Sequence, residues 1–196
     1  MHYYPIALDL RGRPCLVVGG GEIATRKVEG LLSAGANLTV ISPEVTETIG
    51  DQARRRILRH LKKRYQEGDL KGYFLVFAAT GSPEVDVLMA SEANTEGVLL
   101  NVVDRAVLSS FITPAVVHRG DLSIAISTAG KCPGFAMRVK QKIEALIDPE
   151  YGATLTAIAA QRQVLMRDRL KDDDERRQRF EEILELAWNE LNHEVN

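Results

Sequence analysis

Cysteine is nearly absent from this sequence: Cys15 and Cys132 are the two in 196 residues. Two thiols so far apart make no disulfide framework and match no zinc-ligand spacing. The expectation is a reducing, cytoplasmic setting. An excess charge of either sign is missing too, because 25 Lys and Arg face 27 Asp and Glu for a net charge of −2. With an isoelectric point near 6.1, the chain has no global field to recruit nucleic acid or an acidic membrane surface. Long apolar runs are lacking: no window reaches the ~18 residues that a membrane span needs, and the N-terminus does not read as a targeting segment. Internal repeats and low-complexity tracts are absent as well. What remains, 45% apolar and 27% charged residues, is the composition of a globular protein with one large unit and one smaller one.

Hydrophobic periodicity predicts the elements. Residues 15–18 form a short apolar run that ends in glycines, and Ile23, Ala24, Val28, Leu31 and Leu32 then share a helical face that Gly35 closes. A second β-branched run, 38–41, stops at Ser42-Pro43, completing a β-α-β unit. Strands at 73–79 and 98–103 flank a helix over 83–94 that Ser82 caps. This alternation predicts an α/β fold with a Rossmann-like parallel sheet over residues 1–113. Runs at 111–117 and 122–127, joined by His118-Arg119-Gly120-Asp121, predict an antiparallel hairpin, and Phe135, Val139, Ile143 and Leu146 mark a helix after it. Hairpin and helix are too small to bury themselves and must pack on the first domain or on another chain; the second choice makes residues 114–148 a small α+β dimerisation segment. From residue 149 to 196 the pattern is that of a helical domain, with stripes at Leu155, Ile158, Leu165 and Leu170 and at Phe180, Ile183, Leu184, Ala187, Trp188 and Leu191. The polar run 171–178 either links these helices or begins the second.

The turn Gly19-Gly20-Gly21-Glu22-Ile23-Ala24 is G-x-G-x-x-A. Gly19 permits the tight turn, Gly21 lets the backbone approach a pyrophosphate, and Ala24 allows close packing of helix on sheet. Its place between a strand and a helix makes it a dinucleotide site, with the helix N-terminus facing the phosphates. Glu44, about 20 residues beyond the turn, favours NAD over NADP if it meets the adenosine ribose; otherwise it is a loop residue. Thr80 and Gly81 end the next strand and line the same crevice. Asp104 ends the strand after that, where a general base is useful, although a plain loop aspartate fits the position equally. His118 lies in the hairpin turn, where a lone histidine reads as a plain exposed side chain. The basic tract 54–64 reads as a solvated face or as a site for a polycarboxylate, without the aromatic interleaving of nucleic-acid binders. The acidic run Asp172-Asp173-Asp174-Glu175 reads as a solvated helix start rather than a metal site.

Several motifs together resemble the precorrin-2 dehydrogenase family, which includes the dehydrogenase and ferrochelatase module of siroheme synthases. They are Gly19-Gly20-Gly21-Glu22-Ile23-Ala24-Thr25-Arg26-Lys27, Phe77-Ala78-Ala79-Thr80, Asn101-Val102-Val103-Asp104, Phe111-Ile112-Thr113-Pro114 and Ser127-Thr128-Ala129-Gly130. The resemblance implies NAD-dependent oxidation of precorrin-2 to sirohydrochlorin, on the route to sirohaem, cobalamin or related tetrapyrroles, by a homodimeric cytoplasmic enzyme. It implies Asp104 as catalytic acid/base and NAD contacts from Gly21, Glu22, Ile23, Pro43 and Glu44. Thr128, Asn101 and His118 are its candidate substrate contacts. No resident metal is implied, and Fe2+ or Co2+ enters only as a substrate of members that also chelate.

Two features depart from the pattern. These 196 residues hold no methyltransferase region, so the resemblance is to the module and not to a full siroheme synthase. Lys131-Cys132-Pro133 stands where many relatives carry Ser-Pro, which leaves chelation open. Two other readings stand beside the dehydrogenase: a non-catalytic NAD sensor, which would need neither Asp104 nor the hairpin, and a chelatase without dehydrogenase activity.

Overall fold

The computed structural model describes residues 3–167 and 173–193. The chain divides into two compact units, 1–112 and 113–196.

The first unit is built on a five-stranded sheet, β1 (Pro14–Val18), β2 (Asn37–Ile41), β3 (Arg59–Leu61), β4 (Leu75–Ala78) and β5 (Leu99–Val102), in the order β3-β2-β1-β4-β5. Every pairing is parallel. Parallel strands covered on both faces read as apolar runs, and alternate side chains divide between two cores. Val17, Val40 and Phe77 pack with Ala24, Val28 and Leu31 of α1 (Glu22–Ser33) and Ile49 of α2 (Glu47–Arg54). Leu16, Val18, Val76, Leu100 and Val102 pack on the other face with Met89 and Ala93 of α3 (Pro83–Glu96). Fully burying one such side chain contributes roughly 1.5–3 kcal/mol, so the sheet is a rigid base for the loops that leave its strands. The register aligns Val18 with Ile41 and Ala78, and Ala78 with Val102. The loops after β1, β2, β4 and β5 therefore leave one common edge.

Local signals set the helix ends. Gly35, at φ +76°, follows α1; Ser82 accepts the Val85 amide at the start of α3, and Gly97 is left-handed at its end. Two elements escaped the sequence reading. The basic tract 54–64 is the end of α2, a turn and the short edge strand β3, in which Arg59 pairs with Thr39 and Leu61 with Ile41. A charged three-residue strand has no apolar run to betray it, and such charge on an edge discourages further pairing.

The second unit holds the antiparallel hairpin β6 (Ala115–Arg119) and β7 (Leu122–Ile126), then α4 (Pro133–Leu146), α5 (Glu150–Arg167) and α6 (Asp173–His193). The strand expected over 111–117 begins four residues later, because Phe111 packs its ring on Phe77 in the first unit. The loop is the pair Gly120-Asp121, with Gly120 at φ +57°. His118 is therefore in β6 and not in the turn. Arg119 fastens the hairpin to α4: its Nε donates to the Ile147 carbonyl at 2.7 Å and its Nη2 to that of Glu144 at 2.9 Å. A cation on these last carbonyls also suits the negative end of the helix dipole. At the start of α5, Gly152 approaches β6 so closely that a Cβ would lie 2.5 Å from the Arg119 oxygen. Asp173, Asp174 and Glu175 occupy the first turn of α6; Leu170, Lys171 and Asp172 lie outside the described residues.

Candidate functional site

A cleft of about 580 Å³ opens at the carboxyl ends of β1, β4 and β5. The strand order reverses between β1 and β4, the place where open α/β sheets bind ligands. The turn 19–24 forms one wall, Ala79, Thr80, Gly81 and Asp86 the middle, and Val103, Asp104 and Arg105 the far side.

The three glycines have different duties. A Cβ on Gly19 would lie 2.2 Å from the Ala79 oxygen, and one on Gly20 would lie 1.9 Å from the Glu44 oxygen. Both are required by the fold itself. A Cβ on Gly21 would meet nothing within 4 Å, so its missing side chain leaves space in the cleft. The first intrahelical bond of α1 runs from the Thr25 amide to the Gly21 carbonyl. The amides of Glu22, Ile23 and Ala24 precede it and so lack intrahelical acceptors. An open glycine beside such amides is a cradle for phosphate, and these residues fit a dinucleotide.

Pro43 and Glu44 are exposed on the loop after β2, which the Thr46 amide ties to the Gly20 carbonyl at 2.9 Å. They do not line the cleft. The Thr80 hydroxyl is consumed internally: it donates to Asp86 Oδ1 at 2.6 Å and accepts the Ser82 amide at 3.0 Å. Thr80 thus shapes the wall, and its hydroxyl is not presented to a ligand.

Asp104 is exposed and has φ +60°. Left-handed backbone is unfavourable for a residue with a Cβ, although aspartate tolerates it better than most. The turn is held from behind by two serines along the open edge of β5. Ser109 Oγ accepts the Val102 amide at 2.9 Å and donates to the Arg105 carbonyl at 3.0 Å, while Ser110 Oγ accepts the Leu100 amide at 2.8 Å. A strained turn kept in place on a cleft wall is where functional residues are often found.

Asn101 is buried in β5 and its amide donates to the Phe111 carbonyl at 2.9 Å. Phe111 meets Phe77 edge-on at 5.5 Å, and Phe77 in turn lies 5.0 Å beneath Lys27 Nζ. Asn101 therefore steadies the floor beneath the site. In the second unit, His118 Nδ1 lies 2.9 Å from Ser123 Oγ across the hairpin. Thr128 Oγ1 accepts the Cys132 amide at 3.2 Å, in a loop where Ala129 and Gly130 are both left-handed.

Three cleft-side residues were missed by sequence reasoning. Asp86 and Arg105 carried no motif of their own, though Arg105 follows Asp104; Lys27 closes the glycine-turn motif, one helical turn after Ile23, but was given no role there. Burial lowers the pKa of Lys27, Arg26 lowers it further, and the Asp104 carboxylate opposes both. Among the described residues no group of three or more His, Cys, Asp or Glu side chains converges, and no helix is long and apolar enough to cross a membrane.

Comparison with known proteins agrees with this geometry. A family model described as NAD(P)-binding matches residues 6–115, and one described as sirohaem biosynthesis protein, central, matches residues 119–146. The siroheme synthase of Chromobacterium violaceum is 40% identical over 94% of this chain and 39% of its own length. That of Photobacterium profundum is 35% identical over 97% of this chain and 40% of its own. The chain thus spans about two fifths of the length of these relatives. Among solved structures, SirC, a precorrin-2 dehydrogenase, superposes with a TM-score of 0.83 at 30% identity, covering 98% of both chains.

Proposed function

Because the chain belongs to the precorrin-2 dehydrogenase family of NAD(P)-binding proteins, we propose that it oxidises precorrin-2 to sirohydrochlorin, with NAD+ as hydride acceptor and Asp104 as general base. The observation that carries this reading is Asp104 itself, a carboxylate in strained, left-handed backbone on the wall of the glycine-turn cleft. Bound there, the nicotinamide supplies the hydride-accepting chemistry. The remaining work falls to the chain. The amides after Gly21 hold the phosphates, small residues at 79–81 leave room for the cofactor, and Asp104 takes the proton that the macrocycle loses with the hydride. The balance is precorrin-2 plus NAD+ giving sirohydrochlorin, NADH and a proton. General-base help of this kind contributes typically about 10²–10⁴ in rate.

Preference for NAD over NADP rests on Glu44, an acid on the loop after β2, where a ribose 2′-hydroxyl is bound in this type of fold. Homodimerisation is supported by apolar side chains left open in the second unit, with Phe135, Leu146 and Leu186 each at least 60% exposed. The unpaired thiols Cys15 and Cys132 support a reducing, cytoplasmic setting. Sedimentation should give twice the 21.7 kDa chain mass; a monomer at all concentrations removes the dimer. Calorimetric titration with NAD+ and NADP+ should favour NAD+, and anaerobic addition of precorrin-2 should then release NADH. Fe2+ added after the oxidation reads any metal insertion as a separate step.

A further inference from the structure

We propose that Arg105 is the substrate-recognition residue of this cleft: held by the buried carboxylate of Asp86, its guanidinium binds a carboxylate of the tetrapyrrole next to Asp104. This rests on the reaction proposed above and names how its substrate is oriented.

Asp86 lies in the first turn of α3 and is 6% exposed. A buried carboxylate requires partners, and this one has two: Thr80 donates to Oδ1 at 2.6 Å, and Arg105 Nε stands 3.6 Å from Oδ2. The contact engages Arg105 through Nε. No described group accepts from its two terminal amino groups, so the end of the fork remains, the face that grips a carboxylate through two parallel bonds. The side chain is 40% exposed, anchored at one edge and open at the other.

Charge makes the assignment sharper. Of the described ionisable side chains lining the cleft, Glu22, Asp86 and Asp104 are acids and Arg105 is a cation; the nearby Lys27 lies over the Phe77 ring with the Asp104 carboxylate within its field. Without Arg105 the ionisable residues of the lining itself would be acids alone. Position separates this anion from the cofactor's phosphates. Those belong at the turn after β1, whereas Arg105 follows β5, two strands along the same edge and so roughly 10 Å away at ordinary strand spacing. A carboxylate on the rim of the macrocycle, gripped beside Asp104, fixes which ring carbon faces the base.

The test measures NADH release under anaerobic conditions for the wild type, Arg105→Gln, Arg105→Lys and Asp86→Asn. Arg105→Gln should raise the KM for precorrin-2 by about tenfold or more, as expected for losing a charged hydrogen-bonded pair, with NAD+ affinity unchanged. Arg105→Lys should recover part of the loss, since a lysine keeps the charge but not the fork. Asp86→Asn keeps an acceptor for Thr80 and should raise KM to a smaller extent. An unchanged KM in a folded, active Arg105→Gln overturns the proposal, as does a loss of NAD+ affinity with KM unmoved, which would put Arg105 on a cofactor phosphate. Direct binding of sirohydrochlorin, followed by its absorbance, reads the same difference without turnover. If the wild type binds it in an Arg105-dependent manner but releases no NADH, the reaction falls and the anion site stands.

Discussion

The two units bury their side chains in different ways. The first closes apolar cores on both faces of one sheet, whereas in the second Val117 and Ala136 are the described apolar side chains that are fully buried. A cleft on the first unit is therefore held by its own core, and its walls need no outside help to keep their shape. The second is held by polar fastenings such as Arg119 and keeps apolar surface open. The difference separates a cleft preorganised by its own core from a unit that leaves apolar side chains open.

The largest effect should come from the first unit. Asp104→Ala should lower turnover by about 10²–10⁴, with NAD+ titration unchanged; wild-type turnover would remove its role as base. A matched pair of glycine substitutions then separates the units. Gly20→Ala drives a Cβ to within 1.9 Å of the Glu44 oxygen and should abolish NAD+ binding. Gly152→Ala meets the Arg119 oxygen at 2.5 Å and should cost about 1–3 kcal/mol by thermal unfolding, with NAD+ binding kept. If Gly152→Ala also abolishes NAD+ binding, the units are not independent. Removing the clamp by Arg119→Met should destabilise the second unit by about 1–3 kcal/mol, visible as earlier unfolding with NAD+ affinity unaltered.

The smallest effect is an alkaline one. In the first unit, burial and its hydrogen bond to Glu92 push the Tyr65 pKa above the ordinary value. A raised pKa means that the folded state keeps the proton longer than the unfolded chain does. The stabilisation is full below about pH 10 and is lost as pH rises above it. Tyr65→Phe should flatten the alkaline fall in melting temperature, and an identical fall in both proteins would show that this lock is silent.

Sequence legibility follows the same division. Strands β1, β2, β4 and β5 are readable because burial on both faces writes continuous apolar runs, and α1 and α3 because glycine, serine and proline mark their ends. Strand β3 is hidden by Arg59 and its basic neighbours, whose charge belongs to an exposed edge. The start of β6 is misread because Phe111 is apolar for the sake of Phe77, a contact between residues far apart in the chain. At the site, the glycine turn and the place of Asp104 on the cleft wall follow from spacing and position. Asp86 and Arg105 do not, since their pairing exists only once α3 and the turn after β5 are folded beside each other. Thr80 was found for its place, but the use of its hydroxyl is a property of the fold.

The most direct test is the rate of NADH formation when anaerobic precorrin-2 is added to the NAD+-loaded wild type and to Asp104→Asn side by side. The wild type should release one NADH per sirohydrochlorin, and the variant should be slower by about a hundredfold or more at equal NAD+ occupancy. No NADH from a folded, NAD+-loaded wild type would contradict the proposed reaction.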